Sequence, residues 1–197
     1  MRARDNPFAS HRLERLAYRF LTGSWLEVRD RLASLGGRGA IVGPDGSGKT
    51  TLLEQLARRL AADGIPVALV GAEPERGPRR DILGAALRSA GPETHLLVDG
   101  ADALAPGEWR RLERDSRRLG ALVVTSHRDG LLPALHRTTT SAGLLAELVA
   151  ELTEESVAAR IDAAAIYRQH DGDLRAALRA LYDRCAVGAN EVGDGPR

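Results

Sequence analysis

Residues 43–51 read GPDGSGKTT, and no other stretch constrains the fold of this chain so closely. Gly43, Gly46 and Gly48 let the backbone enter φ > 0 regions and approach a neighbour more closely than any side chain would allow. The flanks are patterned differently. Upstream, GAIV (39–42) is a short apolar run suited to a buried strand. Downstream, TTLLEQLARRLAADG sets Leu52, Leu53, Leu56 and Leu60 at helical spacing, with Gly64 as the stop. The chain is therefore expected to pass from strand through glycine loop into helix.

Lys49 is the one lysine among 28 Lys and Arg residues. Lysine carries a compact charge on a thin stem, whereas guanidinium is a broad planar fork, so a site that retains lysine in an arginine-rich chain needs the smaller group. Gly43, Gly48, Lys49 and Thr50 satisfy G-x-x-x-x-G-K-[ST], the phosphate loop of nucleotide-binding proteins. In that reading Gly43, Pro44, Asp45, Gly46, Ser47 and Gly48 form the cradle, and the helix starting at Lys49, Thr50 and Thr51 adds its N-terminal dipole. Lys49 would reach the β and γ oxygens of ATP, and the Thr50 hydroxyl would ligate Mg²⁺.

At 197 residues the chain can bury one substantial core and a small appended subdomain. A formal net charge of +1 provides no global field for nucleic acid or an anionic membrane. A single cysteine, Cys185, rules out an intramolecular disulfide and any cysteine metal cluster, and its place on an apolar helix face reads as core. His11, His95, His127, His136 and His170 show no ligand spacing. No apolar run reaches the length of a membrane span, and MRARDNPFASHRLERLAYRF has no signal-peptide core, so no membrane partner and a cytoplasmic location are expected.

Ser24 and Glu27 form a capping box for a helix with Trp25, Val28, Leu32 and Leu35 on one face. Further strands are predicted at 65–72, 94–100 and 121–127, with helices around 82–90 and 106–119 between them, and LHRTTTS (135–141) is the candidate fifth strand. Short apolar strands alternating with helices predict an α/β fold, a parallel sheet with helices on both faces. Beyond residue 141 the pattern is purely helical, over 143–152, 154–169 and 173–185. The expected organisation is an N-terminal helical segment (1–37), a nucleotide-binding core (38–141), a helical lid (142–186) and a disordered tail (187–197).

Leu96, Leu97 and Val98 end in Asp99, as a Walker B strand does when it delivers a carboxylate beside the phosphates, where Asp99 would hold Mg²⁺. With that, residues 38–185 resemble the P-loop NTPases of the additional-strand class, and more narrowly AAA+ and STAND ATPases. The resemblance implies a three-layer P-loop core with a helical lid, ATP and Mg²⁺ as ligands, and a polar sensor 1 at the end of the next strand, Thr125 or Ser126. HDGDLRAALRALYD (170–183) resembles the sensor 2 motif of AAA+ lids. Asp173 can cap the helix, and Arg175 would face the γ-phosphate. Phe8 and Leu13 either lie against the adenine, as segments before the first strand do in related ATPases, or simply pack.

One position departs from the pattern. ATPases of this class commonly follow the Walker B Asp with a Glu that polarises water, and here Gly100 follows. Asp102 is the better substitute and Glu108 the other. The leading expectation is an ATP-hydrolysing enzyme. A non-hydrolysing or very slow nucleotide switch is the alternative, and a small-molecule or nucleoside kinase, with Glu73 or Glu75 as the acceptor-binding acid, is a third. Arg128 and Arg137 are placed to act as arginine fingers in a partner or in self-assembly, although an ordinary surface role suits both. Arg110, Arg111, Arg114, Arg117 and Arg118 could contact nucleic acid, but Glu113 with Arg117 and Asp115 with Arg111 favour a salt-bridged solvent face.

Overall fold

The computed structural model describes residues 5–71 and 79–191, so Glu73 and Glu75 lie outside the described residues. The chain forms two compact units. One comprises Tyr18–Pro44 and Gly48–Thr138; the other comprises Met1–Ala17, Asp45–Ser47 and Thr139–Arg197.

The first unit is an α/β sandwich. Its strands are β1 (Arg38–Val42), β2 (Val67–Gly71), β3 (His95–Asp99), β4 (Ala121–Ser126) and β5 (Ala134–Arg137). They pair in parallel in the order β2-β3-β4-β1-β5. Alternate residues of a strand face opposite sides of a sheet, and two apolar cores follow from that period. Ala40, Val42, Leu96, Val98, Leu122 and Val124 face α4 (Arg79–Ser89) and α5 (Pro106–Asp115), where Leu87 and Leu112 complete the layer. Ile41, Leu97 and Val123 face α2 (Trp25–Ser34) and α3 (Lys49–Ala62), meeting Val28, Leu32, Leu52, Leu53 and Leu56.

Local signals account for the helix ends. The Ser24 hydroxyl accepts from Glu27 N at 3.3 Å and starts α2. Pro106 opens α5, and Glu108 Oε2 accepts from Ala105 N at 3.0 Å. The predicted helix over 106–119 tightens into a 3₁₀ turn at Ser116–Arg118, where Arg38 donates to Ser116 Oγ at 3.0 Å. The fifth strand falls in the expected segment but ends at Arg137, and Thr138 donates its N–H to Val42 O at 2.8 Å.

The second unit is helical: α1 (Ser10–Leu13), α6 (Ala142–Leu152), α7 (Glu155–Ala158), α8 (Ala163–Gln169) and α9 (Leu174–Glu191). Its core joins Phe8, Leu145, Val149, Ile166, Ala177 and Leu181. The predicted helix 154–169 is two helices, because Asp162 turns its carboxylate onto Ala165 N at 2.9 Å and caps α8 instead of continuing α7. The last helix runs to Glu191, beyond the expected end at 185 and into the segment expected to be disordered. No helix of the described residues is long and apolar enough to cross a membrane.

Candidate functional site

The glycine loop connects the buried strand β1 to the first turn of α3. Gly46 takes φ +64° and Gly48 φ +85°, left-handed conformations that cost other residues roughly 1–2 kcal/mol. Space is restricted as well. A Cβ at Gly48 would stand 3.3 Å from the Tyr18 ring, and one at Gly46 would collide with Asp173 Oδ1. Asp173 meanwhile caps α9, its Oδ1 accepting from Ala176 N at 2.9 Å.

Lys49 is 8% exposed, and its Nζ donates to Gly43 O and Pro44 O, each at 2.8 Å. The ammonium thus lies within the curl of the loop, held by carbonyls that satisfy a buried cation. Two successive backbone carbonyls fit a small three-donor head, whereas a planar guanidinium would have to enter edge-on.

Three residues meet at the carboxyl ends of β3 and β4. Thr50 Oγ1 donates to Asp99 Oδ2 at 2.9 Å, Thr125 Oγ1 donates to Asp99 Oδ1 at 2.5 Å, and Gly100 N donates to Thr125 Oγ1 at 2.6 Å. Both Asp99 oxygens are therefore engaged, one by the residue after Lys49 and one by the neighbouring strand. Ser126, the other sensor 1 candidate, is turned elsewhere: its hydroxyl donates to Arg128 O at 2.7 Å and accepts from Arg128 N at 3.1 Å. Ser126 contributes through its backbone, since its carbonyl accepts from Gly43 N at 3.2 Å and ties β4 to the loop.

Gly100 has a conformational reason to be glycine. It sits at φ 72°, ψ 37°, and this left-handed turn starts the 3₁₀ segment Ala101–Ala103. The turn carries Asp102 to the end of β4, where Asp102 Oδ2 accepts from His127 Nδ1 at 2.7 Å and from His127 N at 3.2 Å. Burial works to raise the Asp102 pKa, but the side-chain and backbone hydrogen bonds from His127 outweigh it and hold the carboxyl below its ordinary value.

Other expectations resolve individually. Phe8 is 1% exposed and belongs to the helical core with Leu13 packed against that core, so the simple-packing alternative describes both. Tyr18 is the aromatic that reaches the loop. It packs edge-on against Phe20 at 5.0 Å, and its hydroxyl hydrogen-bonds His136 Nε2 at 3.1 Å. Burial raises the Tyr18 pKa to about 12, and it lowers that of His136 against the opposing pull of Glu27. The adjacent aromatics of YRF were the available signal for Tyr18, but nothing local separates them from Phe8.

Arg175 is exposed, and its backbone N is the part that approaches Gly46. Arg137 is paired with Asp129 at 2.9 Å. On α5, Arg111 and Arg114 both bond Asp115, and just beyond it Arg118 donates to the carbonyls of Ala90 and Leu87, which draws much of the basic stripe into intramolecular contacts. Cys185 packs at the margin of the helical core, where burial raises its thiol pKa. Among the described residues no group of three or more His, Cys, Asp and Glu could enclose a metal.

No protein-family model matches the chain. An alignment 104 positions long to Lon protease of Salinispora arenicola (strain CNS-205) is 40% identical and covers 42% of this chain and 13% of that protein. Among solved structures, the Thermotoga maritima RuvB Holliday junction branch migration motor aligns at TM-score 0.51 and 20% identity, over 80% of this chain and 60% of its own. A mutant of Thermotoga maritima RuvB aligns at TM-score 0.52 and 20% identity, over 80% of this chain and 61% of its own. The chain therefore spans about three-fifths of the RuvB structures and a small part of Lon protease. Its five-stranded parallel sheet with helices on both sides has the same fold as the core of the Thermotoga maritima RuvB structures.

Proposed function

We propose that this chain binds ATP with Mg²⁺ and hydrolyses it, as an AAA+ or STAND-like ATPase whose nucleotide state is passed to its helical unit. The observation that carries the reading is the meeting of Thr50, Asp99 and Thr125 at the carboxyl edge of a parallel sheet, the edge where open α/β sheets bind ligands. Lys49 immediately precedes Thr50 in the chain, and the glycine loop ends at Gly48, directly before Lys49.

The donor set fits magnesium. Thr50 and Asp99 offer hard hydroxyl and carboxylate oxygens, and Mg²⁺ characteristically takes one or two such ligands and completes its shell with phosphate and water. When bound, the ion neutralises charge on the β and γ oxygens. The chain's own residues do the rest. Loop N–H groups and the α3 dipole hold the phosphates, Lys49 exchanges its two carbonyl partners for phosphate oxygens, and Thr125 fixes the Asp99 carboxylate. Asp45–Ser47 belong to the same unit as Asp173 and Arg175, a direct route by which an occupied loop would alter the first turn of α9. In this reading the output passes to a second copy or to a partner chain, and the Arg side of α5 leaves nucleic acid as a further partner.

Gly100 favours a second reading, a switch that binds ATP and turns it over very slowly or not at all, because the usual glutamate is missing at that position. One experiment distinguishes the two: nucleotide affinity and phosphate release with Mg²⁺-ATP, for wild type and Lys49→Ala. Hydrolysis that is lost in the variant supports the first reading, and binding without release supports the second. A variant that binds ATP as tightly as wild type would refute both.

A further inference from the structure

Asp173 presses a carboxylate against the glycine loop. A Cβ at Gly46 would collide with Asp173 Oδ1 and stand 2.6 Å from its Cγ and 3.0 Å from Arg175 N, so the carboxylate and the first turn of α9 cover the side of Gly46 on which a side chain would project. Asp45–Ser47 and Asp173 fall in one compact unit, and the contact is internal to it. The start of α9 does not itself require a charge. Asp173 Oδ1 accepts from Ala176 N at 2.9 Å, a bond that a neutral side-chain oxygen makes equally well, since Asn and Ser rank with Asp as capping residues. In the same unit the Ser141 hydroxyl caps α6 by accepting from Leu144 N at 3.0 Å. The negative charge at position 173 is therefore more than the cap needs, and it lies on the loop.

We propose, on the ATP-binding reading above, that Asp173 is a specificity-determining residue: its charge opposes the phosphates at Gly46 and limits how far the loop prefers ATP to ADP. The loop draws phosphate toward Gly46, and the carboxylate beside that residue repels it, more strongly in a partly dry site than in bulk water. ATP carries one more negative charge than ADP and so meets the larger penalty. The same carboxylate answers the positive end of α9, an 18-residue helix whose N-terminal dipole would otherwise add to the attraction for phosphate. Arg175, two residues further on, carries the opposite charge on an exposed side chain, so one helical turn presents both signs near the loop. Asp173 thereby keeps the two nucleotide affinities close together and bound ATP exchangeable.

The test compares wild type with Asp173→Asn, which keeps the cap and the shape and removes the charge. Expected are unchanged urea unfolding, Mg²⁺-ATP bound about tenfold more tightly, a smaller gain for Mg²⁺-ADP, and a difference between the two proteins that narrows as salt rises. Asp173→Ser, a second neutral cap, should shift the affinities in the same direction and serves where Asn disturbs the turn. Asp162→Asn is the control. Asp162 caps α8 in the same unit by accepting from Ala165 N at 2.9 Å, and loss of its charge should leave both affinities unchanged. Unchanged or weaker ATP binding in a neutral-cap variant that unfolds like wild type overturns the proposal and leaves the ATP-binding reading intact. An equal gain in Asp162→Asn does the same, because the effect would then be one of net charge. Wild-type protein that binds no ATP overturns the proposal together with that reading.

Discussion

Thr125 donates its hydroxyl to Asp99 at 2.5 Å while accepting from Gly100 N at 2.6 Å, so one 1%-exposed side chain both holds the site carboxylate and satisfies the backbone of the turn that follows it. Thr125→Val keeps the volume and removes both bonds. Leaving the half-buried Gly100 N–H without an acceptor costs up to roughly 1–3 kcal/mol. Urea unfolding should show a loss in that range, and Mg²⁺-dependent ATP affinity should fall because Asp99 is no longer fixed from the β4 side. Ser126→Ala should leave that affinity nearly unchanged, since its hydroxyl serves only the Arg128 turn. Equal effects from the two substitutions would refute the assignment of Thr125 as the residue that positions Asp99.

The loop glycines should fail differently. Gly48→Ala meets the Tyr18 ring and a strained backbone, so it should lose ATP affinity while the helical unit keeps its stability. Gly46→Ala meets the Asp173 carboxylate, which also caps α9. Asp173→Ala alone should cost about 0.5–2 kcal/mol for the lost cap. The double variant should be less destabilised than the sum of the two singles, because the collision disappears with the carboxylate. A double-mutant cycle by chemical denaturation checks this, and strict additivity would show that Gly46 and Asp173 are independent.

The sequence made the strand, loop and helix around Lys49 legible because each rests on local physics: an apolar run, glycines and a 3.6-residue period. The α/β class was legible for the same reason. What local patterns could not show was pairing. Thr125 and Ser126 are adjacent hydroxyls at one strand end, and the choice between them depends on the β3–β4 register, Val98 opposite Val124, which no local pattern encodes. Tyr18 and Phe8 are both aromatics upstream of β1, yet one lies on the loop and the other in a helical core, a difference made by long-range packing. The break between α7 and α8 was readable in principle, since Asp162 is a strong capping residue, but the apolar spacing of 154–169 conceals it.

Lys49→Arg retains charge and changes shape. The two carbonyls that hold the ammonium, Gly43 O and Pro44 O, belong to neighbouring residues of a tight turn, and the planar fork cannot donate to both without opening it. ATP affinity should drop nearly as far as in Lys49→Ala, with little change in melting temperature for either. Isothermal titration against Mg²⁺-ATP measures the first, thermal unfolding the second. An arginine variant with wild-type affinity would show that positive charge alone, and not the shape of the ammonium, accounts for the single lysine in the chain.

Tyr18 provides a spectroscopic handle on the loop. Burial raises its pKa from the ordinary value near 10 to about 12, so the folded protein binds this proton more tightly than the unfolded chain does. The associated stability is fully present below pH 10 and is lost as pH rises from about 10 to about 12, because the unfolded state ionises first. Tyrosinate absorbance should show one of the three tyrosines titrating late, with that step absent in Tyr18→Phe. In the variant, stability should decline less steeply across the same window. Because the ring also bears on Gly48, ligand binding at the loop should move the late step further upward if it tightens the packing there. A late step that persists in Tyr18→Phe would assign the burial to another tyrosine and separate Tyr18 from the loop.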